Sequence, residues 1–171
     1  MNEQSRSRGV TAVEAAVAIA LGGWLLVVSV PAFVRNLSFS RLDEATAGLA
    51  RIAEHASAGA AGKSCDAAFP ESAPLTPATV PRGAPAVDAA PDPWQHPTWR
   101  ALDFRASPAG VAHSFSFSFD RTLDKDKSAF VAQAHGDLDG DGATSTFEVR
   151  GACDVDGTKV APGMYVESEI E

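Results

Sequence analysis

The chain contains one apolar run that is long enough to cross a lipid bilayer. It extends from Ala15 to Val34 and is broken only by Ser29 and Pro31. A helix of about 20 apolar residues spans a hydrocarbon core of roughly 30 Å. A buried helix of a soluble protein would be apolar on one face, whereas this run is apolar on every side. The sequence therefore predicts a membrane-spanning helix near the amino terminus.

Basic residues before this run predict its orientation. Arg6 and Arg8 precede it, and positive charge favours the cytoplasmic side of a membrane. The rest of the chain is then expected on the opposite side. A cleaved secretory signal is a competing interpretation, with Val30–Ala32 as a loose small-residue cleavage site. A plain signal anchor is another.

One glutamate, Glu14, lies at the start of the apolar helix. An ionised carboxylate at the bilayer centre costs about 2.5–3.5 kcal/mol on insertion scales, so such a residue is usually paired and functional. Secretory signals rarely carry a charge in their apolar region, and a plain anchor gives neither Glu14 nor Gly9 a purpose. Glu14 therefore requires a partner of opposite charge.

The segment RGVTAVE, residues 8–14, followed by an apolar helix resembles the leader of type IV pilins and of the pseudopilins of type II secretion. The resemblance implies that prepilin peptidase cuts after Gly9 and that the new amino group of Val10 is methylated. It also implies that Glu14 and Pro31 are the assembly glutamate and the helix-kinking proline of the family. The chain departs from the family at Val10, where phenylalanine is usual.

The resemblance also supplies the partner that Glu14 requires. Cutting after Gly9 creates an ammonium group at Val10, and a terminal amine with a pKa of about 8 is mostly charged at neutral pH. Val10 and Glu14 are four residues apart, so they share a helix face and can pair within one chain. In the family this glutamate is thought to meet the amine of a neighbouring subunit, which would reject a wrong axial register.

The helical pattern continues beyond the membrane segment. Small and apolar residues recur at alternating steps of three and four residues, with charged residues largely off this stripe. One helix is therefore predicted from about Val10 to about Gly59, with Gly59 and Gly62 as stop signals. The stripe consists of Leu42, Ala45, Leu49, Ile52 and Ala56.

Three residues weaken the predicted helix inside its apolar half. Gly22 and Gly23 each cost about 1 kcal/mol relative to alanine. Pro31 removes the backbone donor that would bond the carbonyl of Val27. A bend or local melting is therefore expected between the glycines and the proline.

The region after the helix predicts a small antiparallel sheet and a long loop. Residues 66–98 hold eight of the 11 prolines and are expected to form an extended surface loop, with an interdomain linker as the competing view. In 111–119 the odd-numbered row, which includes His113 and the phenylalanines, predicts a half-buried strand. His113 and His135 are expected to be structural. The strands would form a meander and are predicted at 111–119, 129–135 and 144–151.

The predicted fold is α+β and pilin-like, with one long amino-terminal helix, hydrophobic and then amphipathic, packed on a small antiparallel sheet. The amphipathic half and the sheet would form a single exported core of ordinary domain size. The predicted organisation is a leader at 1–9, a transmembrane and assembly half-helix at 10–34, an amphipathic half-helix at 35–62, and an exported globular region at 63–171 that contains the proline-rich loop 66–98.

An acidic segment matches a calcium-binding loop. Asp137, Asp139 and Asp141 alternate, Gly142 follows, and Glu148 stands six positions after that glycine, as in D-x-D-x-D-G-x₅-E. Carboxylate oxygens suit Ca²⁺, and a distal glutamate can close its coordination shell. However, no predicted helix flanks the loop, and the glycines also suit a hairpin turn. Two interpretations stay open: a Ca²⁺ site formed by these four carboxylates, and a solvated acidic turn.

The only cysteines are Cys65 and Cys153. Export to an oxidising compartment permits a disulfide between them, and many pilins tie down their carboxyl-terminal region with such a bond. A bond that closes a loop of this length stabilises by roughly 4–5 kcal/mol in the chain-entropy model. Two free thiols are the alternative.

The net charge of −8 at pH 7 argues against nonspecific binding to nucleic acid. We recognise no nucleophile motif, phosphate loop or paired catalytic carboxylates, so no enzymatic activity is predicted. The resemblance implies a structural subunit of a pilus or pseudopilus, held as a single-pass protein in a bacterial inner membrane and then assembled into a periplasmic or extracellular filament. Its partners would be copies of itself, other pilins, prepilin peptidase and an inner-membrane assembly platform. A membrane-anchored, calcium-responsive binding domain is the alternative function.

Overall fold

The computed structural model describes residues 11–167 and includes the side chains of residues 11–30 and 41–167. The chain is α+β and divides into two compact units, with the boundary between Phe39 and Ser40. Helix α1 spans Ala12–Ala60 and contributes to both units. The other elements belong to the second unit: β1 Ala73–Thr76, α2 Pro97–Ala101, β2 Phe115–Asp124, β3 Lys127–Gly136, β4 Ser145–Asp154, β5 Gly157–Val160 and β6 Tyr165–Glu167.

The sheet is antiparallel throughout. Strands β1, β2, β3 and β4 are neighbours in that order, which confirms the predicted meander. Two short strands share the far side of β4: β5 pairs with its carboxyl-terminal half and β6 with its amino-terminal half. The sequence pattern does not predict β1, β5 or β6, because each has only three or four residues and therefore shows no clear alternation.

Large and small side chains alternate across the strands on the core face. Phe117 of β2 lies opposite Ala134 of β3, which in turn lies opposite Phe147 of β4. In other rows of the same sheet, Phe115 faces Gly136, and Phe130 faces Gly151. Such pairing lets the aromatic rings fill the space above small residues, and buried aromatic rings contribute much of the core energy.

The second half of α1 packs on this aromatic face. All five residues of the predicted amphipathic stripe are buried, from Leu42 to Ala56, so the predicted helix face is confirmed. The helix ends at Ala60, close to the predicted stop, and Gly62 adopts a left-handed conformation with φ +72°. Glycine adopts positive φ without steric cost, which explains why it terminates the helix here.

The proline-rich region is more structured than predicted. It contains β1, short 3₁₀ turns at Cys65–Ala67 and Pro93–Gln95, and the start of α2. It also contributes Phe69 and Trp94 to the core. The prediction of a surface loop without elements was therefore wrong, because proline is compatible with an edge strand and with the first turn of a helix.

Residues 111–119 were predicted to form a half-buried strand. A strand is present, but its bounds differ from the prediction and both of its faces are buried over Phe115–Phe119. The strand begins at Phe115, and Val111 is half exposed and lies outside it. Ser116 and Ser118, which belong to the opposite row of the predicted half-buried strand, are buried as well. They lie opposite residues of β3 that have longer side chains, and β1 borders β2 on its other side, so little room is left for water.

Candidate functional site

The first part of α1 is the candidate assembly segment. The stretch Ala12–Val30 is a helix of 19 residues with a mean hydropathy of 2.1 and no buried residue, so its length and composition suffice to span a membrane. Its large apolar side chains are more than half exposed within the chain. Such a surface requires lipid or another apolar partner, because contiguous exposed apolar area is unfavourable in water.

Glu14 lies in the first turn of this helix and binds Thr11. Its Oε2 accepts a bond from the backbone N–H of Thr11 at 2.8 Å and one from the Thr11 hydroxyl at 2.9 Å. In return, the Thr11 hydroxyl oxygen accepts a bond from the backbone N–H of Glu14 at 3.3 Å. This reciprocal pattern is a capping box, which satisfies otherwise unpaired donors at a helix start.

Sequence reasoning missed the capping box although its signal is present. Residues 11–14 read Thr-Ala-Val-Glu, which is the S/T-x-x-E signature. Only Oε2 of Glu14 takes part in these bonds. The carboxylate is therefore oriented by its own helix, and Oε1 has no hydrogen-bond partner among the residues whose side chains the structure describes.

The structure describes only one of the three other residues predicted for processing and assembly. Gly9 and Val10 lie outside the described residues, so the cleavage site and the pairing of the new amine with Glu14 stay predictions. Pro31 is within α1, where the backbone is helical without a break from Gly22 through Pro31. The expected local melting is therefore not present in this single chain.

Cys65 and Cys153 form a disulfide, as predicted. The bond connects the 3₁₀ turn that follows α1 to the carboxyl-terminal end of β4, across a sequence separation of 88 residues. The hydroxyl of Ser128 also donates to the carbonyl oxygen of Cys65, and Ser128 lies opposite Cys153 in the sheet. The turn that follows the amphipathic helix is thereby attached to the start of β3 and the end of β4.

The acidic loop connects β3 to β4. Carboxylate oxygens of Asp137, Asp139 and Asp141 lie within 4.8 Å of one another, so the structure brings three of the four predicted calcium ligands together. Asp137 is buried, and its carboxylate accepts bonds from the backbone N–H groups of Gly140 at 2.7 Å and Gly142 at 3.1 Å. The loop is therefore folded around the Asp137 side chain.

The fourth predicted ligand, Glu148, is not part of this group. It lies within β4 opposite Gln133, and its carboxylate binds the side chains of Gln133 and Arg150. The structure thus does not bring the fourth predicted carboxylate to the other three. In a calcium loop flanked by helices the distal glutamate returns to the ion, but here the extended β4 carries Glu148 away from the loop.

An arginine provides a positive charge beside the acidic loop. Arg82 donates from Nε to Oδ2 of Asp137 at 3.1 Å. The Gly83 N–H also donates to the carbonyl oxygen of Asp137 at 2.7 Å. The guanidinium group of Arg82 therefore already binds Asp137, the one buried carboxylate of the group. This contact favours the acidic-turn interpretation. The calcium interpretation stays untested.

Residues 77–91, named here the proline-rich strap, carry Arg82 and a second anchor, Asp88. The side chain of Asp88 is about one-tenth exposed. Its Oδ2 accepts a bond from Trp94 Nε1 at 2.7 Å, and its Oδ1 lies 3.0 Å from Nε2 of His113. Arg105 approaches the same carboxylate at 3.8 Å. Asp88 is thus the centre of a polar cluster that joins the strap to Trp94, His113 and Arg105.

Glu44 links α1 to the same region. Its carboxylate accepts bonds of 2.9–3.1 Å from the backbone N–H groups of Ser114 and Phe115, at the start of β2. Burial raises the pKa of Glu44, although these bonds and the charges of His113 and Arg41 act in the opposite direction. This half-buried acid therefore fixes where β2 begins relative to the helix.

The two histidines predicted to be structural occupy different environments. His113 is buried and bonded on both sides of its ring. His135 is on β3 and lies 3.0 Å from the hydroxyl of Thr146 through its Nδ1. Burial lowers the pKa of His135. The two rings point to different neighbours and do not form a joint site.

Comparison of the chain with protein-family models, with curated proteins and with solved structures found no match in any of the three.

Proposed function

We propose that this chain is a structural subunit of a type IV pilus or of a pilus-like pseudopilus, processed by prepilin peptidase after Gly9. The observation that carries the proposal is the combination found in α1. Its first part, Ala12–Val30, is apolar and exposed and has an oriented acid, Glu14, in its first turn. Its second part is buried beneath an antiparallel sheet.

The two parts of α1 suit two different environments. Membrane lipid surrounds the apolar part before assembly, and the apolar parts of neighbouring subunits replace that lipid in a filament. The Glu14 carboxylate is costly in either apolar environment unless a positive charge compensates it. A neighbouring Val10 ammonium would provide that charge, so correct stacking would be favoured over stacking that leaves the acid unpaired.

The capping box supports this role. Because Thr11 binds Oε2, the position of the carboxylate is set by the helix itself. A preorganised acceptor loses less conformational entropy when a partner binds. In this proposal Glu14 contributes both to the start of its own helix and to the contact between subunits.

The proposal is tested by replacing Glu14 in cells that assemble the filament. Glu14→Ala should still enter the membrane fraction, since removal of a charge favours insertion, but filaments sheared from the cell surface should lose the protein. Glu54→Ala is the matched control, because Glu54 is an exposed glutamate on the same helix. Filament yield of Glu14→Ala equal to that of the control would overturn the proposal.

Mass spectrometry of the mature amino terminus provides a second test. A chain that starts at methylated Val10 supports the proposed processing. An intact leader would instead favour a membrane-anchored binding domain, and a chain that starts at Phe33 would favour a cleaved secretory signal.

A further inference from the structure

His113 lies where the proline-rich strap meets the start of the sheet. Its backbone exchanges two hydrogen bonds of 2.9 Å with the backbone of Ala86, so the strap runs antiparallel beside it. Its ring is only 1% exposed. The ring therefore lies between the strap and the core, and it contacts Asp88 on the strap and the backbone of β2.

Both ring nitrogens of His113 face atoms that accept hydrogen bonds. Nδ1 lies 2.9 Å from the carbonyl oxygen of Phe115, and Nε2 lies 3.0 Å from Oδ1 of Asp88. A neutral imidazole has one N–H and one bare nitrogen, whereas the imidazolium has two N–H groups. The arrangement is fully satisfied only when the ring carries a proton on both nitrogens and Asp88 is ionised.

Two acids near the ring can compensate a positive charge on it. The strap contributes Asp88, and α1 contributes Glu44, whose carboxylate binds the adjoining backbone. On the far side of Asp88 lies Arg105, which is also 3.4 Å from Asp92. Arg41 is a further cation on α1 that acts on Glu44. Two acids therefore lie close to the ring, and the nearest cation, Arg105, contacts Asp88.

We infer that His113 is a proton-operated latch that holds the proline-rich strap on the globular unit. With the imidazolium present, the ring donates to Asp88 and to Phe115 at once, and the strap is docked. Loss of the proton leaves one of these acceptors facing a lone pair in a buried site, where an unsatisfied polar contact is costly. The strap is then held less tightly and opens more often, because the attachments that remain at this end are the two backbone bonds between Ala86 and His113, the bond from Trp94 to Asp88 and the contact of Arg105 with Asp88.

The latch acts within residues 41–167 and does not require assembly of a filament. It can therefore fail or succeed independently of the proposed function.

Cleavage at Arg82 reports opening of the strap directly. Trypsin cuts after Arg82, which lies in the middle of the strap, and proteolysis tracks the population of the open state when opening is fast. The full chain in detergent would be digested between pH 6.0 and pH 8.5. Rates would be divided by those of a synthetic peptide of residues 77–91, which removes the pH dependence of the protease. The normalised rate should rise at least about fivefold over this range if the latch opens.

Variants distinguish opening of the strap through His113 from a general loss of stability of the protein. In His113→Gln the normalised rate should be high and equal at both pH values, since glutamine does not titrate. Asp88→Asn, a change on the strap itself, should also raise the rate at pH 6.0. The matched control is His135→Gln, which removes a histidine of β3 and should keep the wild-type ratio. Far-UV circular dichroism and slow cleavage at Lys125 in the β2–β3 turn would verify that each variant is folded.

A wild-type ratio near one would overturn the latch. So would a full pH response that survives in His113→Gln. If His113→Gln does not fold, the wild-type ratio together with Asp88→Asn decides, because a strap that stays closed in Asp88→Asn at pH 6.0 contradicts the role of this carboxylate.

Discussion

Gly48 of α1 lies directly against the ring of Phe117, near the start of β2. A Cβ atom at position 48 would lie 2.7 Å from both Cε1 and Cζ of that ring, far closer than van der Waals contact. Glycine in a helix is otherwise unfavourable by about 0.5–1 kcal/mol relative to alanine. The helix accepts that cost here because its backbone approaches the aromatic face of the sheet.

Gly48→Ala should destabilise the protein despite the higher helix propensity of alanine. Overpacking a core typically costs about 1–3 kcal/mol, which exceeds the propensity gain, so we expect a net loss of roughly 1–2 kcal/mol. Gly59→Ala is the matched control, because a Cβ atom at this position of the same helix would meet no atom within 4 Å. It should be neutral or stabilising by up to about 1 kcal/mol. Urea unfolding of both variants in detergent measures the difference, and equal effects would contradict this packing.

Reduction of the Cys65–Cys153 disulfide should lower the free energy of unfolding substantially. The bond closes a loop of 88 residues, for which the chain-entropy model predicts roughly 4–5 kcal/mol. Urea unfolding with and without dithiothreitol measures the loss. The double variant with both cysteines replaced by serine should be as unstable as the reduced protein and should not respond to reductant. Unchanged stability on reduction would show that the bond does not constrain the unfolded chain.

Glu44 should make the protein less stable as the pH rises. Because burial raises its pKa in the folded state above the ordinary value of 4.5, the folded protein binds this proton more tightly than the unfolded chain does. Its contribution to stability is therefore full below pH 4.5 and is lost as the pH rises through the raised pKa. Glu44→Gln should remove this part of the slope, so the variant gains stability relative to wild type with increasing pH.

Urea unfolding at several pH values from 4 to 8 measures this effect. Glu54→Gln serves as the control, because Glu54 is an exposed glutamate on the same helix. A stability difference between Glu44→Gln and wild type that is independent of pH would contradict the assignment.

Calcium should have little effect on thermal unfolding of the wild-type protein. Arg82 already binds Asp137, and Glu148 is engaged elsewhere in the sheet. Binding with a Kd of about 1 mM would stabilise by about 1 kcal/mol at roughly 5 mM calcium, a shift of about 2–4 °C. We expect a shift below this range in wild type and a larger one in Arg82→Ala, which removes the competing cation.

The control for calcium is the double substitution Asp139→Asn and Asp141→Asn, made both in the wild-type protein and in Arg82→Ala. Magnesium serves as the comparison ion. A shift of several degrees in wild type that this pair abolishes would establish calcium binding and contradict the acidic-turn interpretation.

Local patterns were sufficient to predict the elements that carry strong periodicity. The stripe from Leu42 to Ala56 predicted which face of α1 is buried, since a helix repeats every 3.6 residues regardless of its partner. The alternation around Phe117 predicted a strand for the same reason. The start of α1 is also encoded locally, in the capping signature of Thr11 and Glu14.

The contacts that join distant segments could not be predicted in this way. No local signal places Glu148 beside Gln133, Asp88 beside His113, or Arg82 beside Asp137, because each pair depends on strand register and on the path of the proline-rich strap. The calcium motif illustrates the difficulty. Its residue spacing matches the pattern, but Glu148 lies in strand β4 and therefore away from the three aspartates, whereas a helix after the loop would return the glutamate to the ion.

The amino-acid sequence by itself determined an apolar helix with one acid in its first turn, an amphipathic continuation and an antiparallel sheet. These features follow from the periodicity of side chains along a helix or a strand, which is a property of neighbouring residues. Only the tertiary structure decided which charged groups are compensated, because compensation depends on distances between segments that are far apart in the chain. The proposed latch at His113 and the contact of Arg82 with the acidic loop both depend on such distances.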